Sequence, residues 1–316
     1  MNDFFRTNLC KELNIEYPII QGGMAWVATG ELAGAVSSAG GLGVIGAGNA
    51  PAEKVEKEID KARSITDNPI AVNLMLLSPH IEEIIDLVLE KKISIVTTGA
   101  GNPGKYVDRL KEGNIKIIPV VSSVALAKRL SRLEITAVIA EGNEAGGHVG
   151  KLGTMALVPQ ITDSIDLPVI AAGGIGDARG FLAAFLLGAE AVQMGTRFVC
   201  SNECKAAQEY KQAIIDARDR DAVITGRTTG HPVRTLKNKL TRKIHKMEEN
   251  GVDPDKIEAE AEGSLRSAVV EGNIENGSVM AGQISGMIEE ETSVKDIIEN
   301  MISQAEDLMS YQCDKF

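Results

Sequence analysis

Short, mainly apolar runs alternate with longer amphipathic stretches along most of the chain. Runs of this kind, without a strict alternation of polar and apolar positions, are typical of parallel strands that are buried on both faces. The pattern predicts eight strands, at residues 17–21, 42–45, 70–74, 95–98, 117–121, 137–140, 169–172 and 191–194. The intervening stretches predict helices, among them 52–65, 81–91, 124–133 and 181–187.

Eight strands alternating with helices can form either a doubly wound sheet or a closed barrel. Two observations favour an α/β fold of the (β/α)₈ TIM-barrel type. The strand count is eight, and polar or glycine residues suited to ligand binding follow nearly every strand rather than one switch point.

The rhythm of the sequence changes after residue 195. Helices are predicted at 203–218, 236–249, 256–270 and 293–311, with loop-rich and glycine-rich segments between them. We interpret residues 206–284 as an inserted, smaller and mainly helical cap, and residues 1–205 and 285–316 as the barrel.

Composition narrows the class of protein. The chain has 316 residues, of which 44% are apolar, enough for a large core without disulfides or metals. A net charge of −11 argues against nucleic acid as a partner, and the longest apolar runs are too short for a membrane span. The polar N-terminus does not resemble a signal peptide. Four cysteines without metal spacing (Cys10, Cys200, Cys204 and Cys313) favour a reduced, cytoplasmic protein.

Two glycine-containing turns follow the seventh and eighth predicted strands. The first contains Gly173 and Gly174, and the second contains Gly195 and Thr196. In barrels, backbone N–H groups of these two loops commonly bind a phosphate, and a glycine lets the ligand approach the amides. Ordinary tight turns remain the alternative. Two G-x-G-x-x-G matches, at 41–46 and 99–104, lack the context of a dinucleotide site.

The first loop and the third strand carry residues that suit a flavin. Gly22, Gly23 and Ala25 are small enough for a flat ring to approach the backbone, and Asn73 offers a donor and an acceptor to its pyrimidine edge. Each of these could also be a turn residue or a polar plug.

The segment 141–150 follows the sixth strand and contains two acids and a histidine among glycines. His148 can act as a proton donor because the ordinary pKa of histidine lies near working pH. The alternatives are a structural histidine and a metal ligand, but no second histidine or cysteine stands at ligand spacing. We therefore expect no metal. His231 could line a channel or cap a turn.

Taken together, five segments resemble the flavin-dependent enoyl-acyl-carrier-protein reductases of bacterial fatty-acid synthesis. They are 21–28, 73–79, 97–103, 141–150 and 277–283. The nitronate monooxygenases are similar in fold, in flavin and in the glycine-rich histidine loop. The first loop, with Trp26 after Gly23, resembles the reductases, whereas residues 225–227 resemble a monooxygenase segment.

The resemblance implies an FMN enzyme in which NADH or NADPH is the co-substrate and a trans-2-enoyl thioester is reduced. The alternative is a nitronate monooxygenase. His148 matches the catalytic histidine. The residues implied to hold FMN are Gly22, Gly23, Met24, Ala25, Asn73, Thr97, Glu141, Gly146, Gly173, Gly174, Gln193, Met194, Gly195 and Thr196.

Acyl carrier protein is the partner that this resemblance implies, and carrier proteins are acidic. An acidic enzyme then needs a local basic patch for a productive encounter. The segment 231–246 contains six basic residues and no acid, and it predicts such a patch: Arg234, Lys237, Lys239, Arg242, Lys243 and Lys246. A solvated helix face is the alternative. The sequence does not set the oligomeric state, and a homodimer stays open.

Overall fold

The computed structural model describes residues 5–313. Eight parallel strands form the central sheet: β1 (Ile19–Gln21), β2 (Gly43–Gly46), β3 (Ile70–Met75), β4 (Ile95–Gly99), β5 (Lys116–Val121), β6 (Val138–Glu141), β8 (Val169–Ala172) and β9 (Ala191–Met194). A second, antiparallel sheet contains β7 (Gly147–His148), β10 (Ala222–Thr225) and β11 (Val233–Leu236).

Helices fill most connections between barrel strands and make up much of the later part of the chain. They are α1 (Asn8–Leu13), α2 (Gly30–Ser38), α3 (Ala52–Arg63), α4 (Ile81–Glu90), α5 (Val107–Glu112), α6 (Val124–Leu130), α7 (Thr154–Thr162), α8 (Ala178–Leu186), α9 (Thr196–Val199), α10 (Gln208–Ile215), α11 (Lys239–Glu249), α12 (Pro254–Ala261), α13 (Ser264–Glu271) and α14 (Val294–Cys313). Two short 3₁₀ helices span Pro103–Lys105 and Gln283–Met287.

The sheet closes into a barrel between β1 and β2. The strand order is β1-β9-β8-β6-β5-β4-β3-β2, and a parallel bridge from Ile20 to Leu42 joins the two ends. The buried side chain of Gln21 strengthens this seam, because its amide donates to the carbonyl of Val44 and accepts from the N–H of the same residue. The predicted (β/α)₈ fold is therefore confirmed.

Alternate strand residues point into the barrel and form one apolar cluster, which includes Ile20, Val44, Ala71, Ile95, Ile118, Ile139, Ile170 and Ala191. Leu9, Cys10 and Leu13 of α1 belong to the same cluster, and the N–H of Leu9 donates to Glu190, just before β9. Helix α1 thus closes the amino-terminal end of the barrel. The carboxyl-terminal end of the barrel, at which the strands end, remains available for a functional site.

The segment interpreted as the cap is mainly helical, with helices α10 to α13, and it also contains the strands β10 and β11, which the sequence pattern did not predict. These strands have four residues each and lie between charged segments, so their apolar pattern is short. The predicted helix at 256–270 is two helices, since Gly263 adopts a φ of +71° between them. The limits of 206–284 for the cap stay a prediction.

Within residues 5–313, no helix is long and apolar enough to cross a membrane. Cys10, Cys200 and Cys204 are buried free thiols, and the side chain of Cys313 lies outside the described part of the chain. Burial raises the pKa of all three thiols, so none of them is a reactive thiolate at neutral pH.

Candidate active site

A layer of polar side chains lies at the carboxyl-terminal mouth of the barrel. Successive inward positions on a strand are two residues apart, so the residues above the apolar cluster are Asn73, Thr97, Glu141 and Gln193. Asn73 and Thr97 are neighbours in the β3–β4 register, and the Asn73 amide donates to the Thr97 hydroxyl at 2.9 Å. Four residues of the predicted flavin set therefore share one layer.

Glu141 contributes a carboxyl group to this layer. Burial raises the pKa of its carboxyl from 4.5 to about 7. Its side chain has no hydrogen-bond partner among the described residues. With a pKa of about 7, the carboxyl is protonated in about half of the molecules at pH 7, and the protonated form can donate a hydrogen bond as well as accept one.

The loop after β1 approaches this layer very closely. The N–H of Gly22 donates to the carbonyl of Met194 at 2.9 Å, which ties the loop to the end of β9. A Cβ on Gly23 would lie 2.3 Å from the Cβ of Asn73. Gly23 is thus required by the protein's own packing, in addition to any ligand. The next residue, Met24, packs against the end of β9, because its sulfur lies 3.2 Å from where a Cβ on Gly195 would be.

The next residue, Ala25, packs on the loop after β2. Its Cβ lies 3.1 Å from where a Cβ on Gly48 would be. The following residue, Trp26, has a φ of +67°, and the ammonium of Lys54 lies 3.9 Å from its ring centroid. The segment 22–26 therefore lines the mouth beside the loops that follow β2 and β9.

The turns after β8 and β9 present unpaired backbone donors. Gly173 and Gly174 have φ values of +88° and +75°, which other residues adopt only with strain. Within residues 5–313, the N–H groups of Gly173, Gly174 and Gly195 have no acceptor. Because β8 and β9 are adjacent strands, these donors lie at neighbouring strand ends. This arrangement suits an anionic group.

The Thr196 side chain also makes a contact within the protein itself. Its hydroxyl oxygen accepts a hydrogen bond from the N–H of Gly282 at 2.9 Å, so it holds the glycine-rich segment 277–283 against the barrel. The hydroxyl hydrogen can still donate. Gly146 packs on the same segment, since a Cβ there would lie 2.7 Å from the carbonyl carbon of Ala281.

His148 is held over the mouth by the cap and is not part of a barrel strand. It forms β7, which pairs with Val233 of β11. Its side chain is exposed on one side, while burial on the others lowers its pKa, and the neighbouring His231 lowers it further. The ring is therefore neutral at pH 7, with one N–H that can donate.

The loop that carries His148 is also anchored to α7. The carboxylate of Glu144 accepts hydrogen bonds from the backbone N–H and the hydroxyl of Thr154, at 2.9 and 3.0 Å. The backbone carbonyl of Glu144 accepts from the N–H of Gln283 at 2.9 Å. These bonds join the loop to two other parts of the mouth.

Comparison with known proteins identifies the family of this barrel. The family model described as nitronate monooxygenase matches residues 6–86 and 80–304. A probable nitronate monooxygenase of Staphylococcus saprophyticus is 39% identical, over 94% of this chain and 97% of that protein. One from Staphylococcus aureus strain N315 is 35% identical, over 97% and 99%. The chain belongs to the nitronate monooxygenase family.

Solved structures add a second relationship. The structure of FabK from Thermotoga maritima superimposes with a TM-score of 0.95 at 48% identity, covering 98% of this chain and 99% of FabK. The nitroalkane oxidase of Streptomyces ansochromogenes superimposes with a TM-score of 0.84 at 25% identity, covering 94% and 98%. Nearly the whole chain therefore shares the fold of both proteins.

One member of the predicted basic patch is placed wrongly by the sequence reading. Arg234 is only 3% exposed, because it lies on β11, the central strand of the three-stranded sheet, between β10 and β7. Lys239 and Lys243 form ion pairs with Glu275 and Glu260.

The Nζ of Lys237 lies 4.0 Å from the Oδ1 of Asp221. Of the six residues of the predicted patch, only Arg242 and Lys246 are exposed and have no ion pair within residues 5–313. A patch of six free cations is therefore not present.

Sequence reasoning also missed several residues that shape the mouth. Met280 has its sulfur 3.6 Å from where a Cβ on Gly147 would be, and its carbonyl accepts from the hydroxyl of Tyr210 at 2.9 Å. Nothing in the pattern of the sequence signals these contacts. His231 is exposed and lies 3.9 Å from Glu258. The Nε2 of His245 lies 3.0 Å from the carbonyl oxygen of Ile224.

Proposed function

We propose that this protein is an FMN-dependent enoyl-acyl-carrier-protein reductase that uses NADH or NADPH. The main support is the likeness to FabK, which extends over 98% of the chain at 48% identity, against 25% for the nitroalkane oxidase. The loop after Gly23, with Trp26, is of the reductase type as well.

The residues of the mouth fit FMN. The unpaired N–H groups of Gly173, Gly174 and Gly195 would receive the phosphate, with the Thr196 hydroxyl beside them. The polar layer would face the ring system, and Glu141, which lacks a partner, would gain one. The rest of the proposed set lines the same mouth: Gly22, Gly23, Met24, Ala25, Asn73, Thr97, Gly146, Gln193 and Met194.

When bound, FMN supplies hydride transfer from a nicotinamide to the β-carbon of an enoyl thioester. In this proposal His148 delivers a proton to the α-carbon, and the pairing of β7 with β11 holds its backbone in place. A donor fixed in advance toward the developing enolate lowers the barrier more than a mobile one does.

A turnover assay tests the proposal. The purified protein, loaded with FMN, should oxidise NADH or NADPH when crotonyl or longer enoyl thioesters are added. Loss of this activity in His148→Ala, with FMN still bound, would exclude a contaminating enzyme. Absence of any enoyl-dependent oxidation in the wild-type protein would reject the proposal.

Nitronate monooxygenase activity is the second candidate, favoured by the family model and by the names of the curated relatives. It predicts oxygen uptake with alkyl nitronates and no requirement for NADH or NADPH. Running both assays on one preparation separates the two candidates.

Acyl carrier protein is the partner that goes with the first candidate, and a cytoplasmic location goes with it too. The enzyme has a net charge of −11, so an acidic carrier would be repelled at long range. The exposed cations without acidic partners, Arg242 and Lys246, both lie on α11 and are the best remaining contacts for it.

A further inference from the structure

The cap contributes a buried guanidinium to the loop that carries His148. Arg234 on β11 is 3% exposed, and its side chain makes three hydrogen bonds to neutral acceptors. Nε donates to the carbonyl of Asn143 at 3.0 Å, Nη2 to the side-chain oxygen of Asn143 at 2.8 Å, and Nη1 to the carbonyl of Ala222 at 3.2 Å. No carboxylate among the described residues forms an ion pair with it.

A buried cation without a paired acid is destabilising unless its donors are satisfied, so its retention calls for a reason. Burial lowers the pKa of the Arg234 guanidinium, and nearby Arg227 lowers it further, while Glu144 opposes both. The two shortest of its three bonds go to a single residue of the His148 loop. This concentration on Asn143 indicates a role in that loop.

Asn143 in turn fixes both ends of the loop. Its side-chain amide donates to the carbonyl of Gly150 at 2.5 Å, and its backbone N–H donates to the carbonyl of Leu152 at 2.7 Å. Residues 144–149, with His148 among them, are therefore enclosed by these two bonds.

The backbone of β11 holds the same loop from the other side. Arg234 pairs with Gly147, and Val233 pairs with His148. The N–H of Val149 donates to the carbonyl of Pro232 at 3.0 Å. One strand of the cap thus binds the loop through its backbone at His148 and through a side chain at Asn143.

We propose that Arg234 is a positioning residue, which acts through Asn143 to hold His148 in the orientation needed for proton delivery. The part that concerns proton delivery rests on the proposed reductase function. A lysine could not replace this arginine, because one ammonium group cannot reproduce the planar fork that reaches both oxygens of Asn143 and the carbonyl of Ala222.

The test compares Arg234→Lys and Arg234→Met with Arg227→Met, an exposed arginine in the loop between β10 and β11, as the control. FMN content and the rate of flavin reduction by NADH or NADPH should stay within about two-fold in all variants. The kcat for enoyl reduction should fall about 10- to 100-fold in the Arg234 variants, with little change in KM, as expected for a misplaced catalytic group.

A second measurement does not depend on turnover. The protein has four histidines, so the imidazole resonances can be titrated by NMR and the His148 signal assigned with His148→Ala. Freeing the loop should expose the ring and move the His148 pKa upward, toward the ordinary value. Besides burial, His231 lowers the His148 pKa, and the charged groups that act on Arg234 are Glu144 and Arg227. Arg234→Lys keeps the charge, so a rise there reports exposure to solvent.

Asn143→Ala should give the same pKa rise, and combining it with Arg234→Lys should add nothing further. A His148 pKa and a kcat that match the wild type in Arg234→Lys would overturn the proposal. So would an equal fall in flavin content and in kcat, because that would show a general structural role. If the wild type reduced no enoyl thioester, the reductase assignment would fail, while the NMR titration would still decide whether Arg234 positions His148.

Discussion

The close approach of Gly23 to Asn73 gives a prediction whose size follows from the structure. A methyl group added by Gly23→Ala would place its carbon 2.3 Å from the Cβ and 2.8 Å from the Cγ of Asn73. Carbon atoms in favourable contact lie about 3.5–4.0 Å apart. Either the loop or the end of β3 must therefore move by more than about 1 Å.

The expected loss of FMN-binding free energy is the sum of two effects. Overpacking of this kind costs about 1–3 kcal/mol. Displacing Asn73 also breaks its hydrogen bond to Thr97, which contributes about 1 kcal/mol. The flavin-free protein can relieve the clash by moving the loop, but FMN binding needs the loop and Asn73 in place. We therefore expect FMN affinity to fall about 30- to 700-fold, since about 1.4 kcal/mol corresponds to ten-fold in affinity.

The measurement is a titration of flavin-free protein with FMN, followed by flavin fluorescence. Gly99→Ala is the matched control, because Gly99 ends the neighbouring strand β4 and a Cβ there would meet nothing within 4 Å. Adding Asn73→Gly to Gly23→Ala removes the Cβ that causes the clash, so the double variant should recover the melting temperature of Asn73→Gly alone. Wild-type FMN affinity in Gly23→Ala would refute the reasoning.

Three further predictions follow from the site. His148→Ala should keep FMN and its reduction by NADH or NADPH, yet lose about 10²- to 10⁴-fold in enoyl turnover; an equal loss in both half-reactions would contradict a role in proton delivery. Burial raises the pKa of the Glu141 carboxyl to about 7. Between about pH 4.5 and 7 this carboxyl is therefore ionised in the unfolded chain but still protonated in the folded protein, so the free energy of unfolding falls as pH rises. Urea unfolding should accordingly show Glu141→Gln more stable than wild type by up to about 3 kcal/mol at pH 8 and by little at pH 4.5, and an equal difference at both pH values would be evidence against it. Reversing Arg242 and Lys246 to glutamate should raise KM for carrier-bound substrate about 5- to 30-fold and leave a carrier-free thioester unaffected, whereas an equal effect on both would remove the docking role.

Much of the barrel is determined by local pattern. Eight predicted strands correspond to the eight observed, because each buried strand must be apolar on both faces. The period of two along a strand also fixes which of its residues share a face, but the register that puts Asn73 beside Thr97 is seen only in the structure. Helix limits were less well predicted, as for the pair α12 and α13, where one glycine with positive φ breaks the run.

The arrangement of the cap over the barrel was decided only in three dimensions. β7 has two residues and exists because β11, far along the chain, pairs with it. Arg234 counts as a surface cation in a charge pattern, yet strand pairing turns it inward onto Asn143. Composition and periodicity report local preference and the amount of surface to be buried. Contacts between distant segments depend on how those surfaces pack, and the position of His148 is set by such contacts.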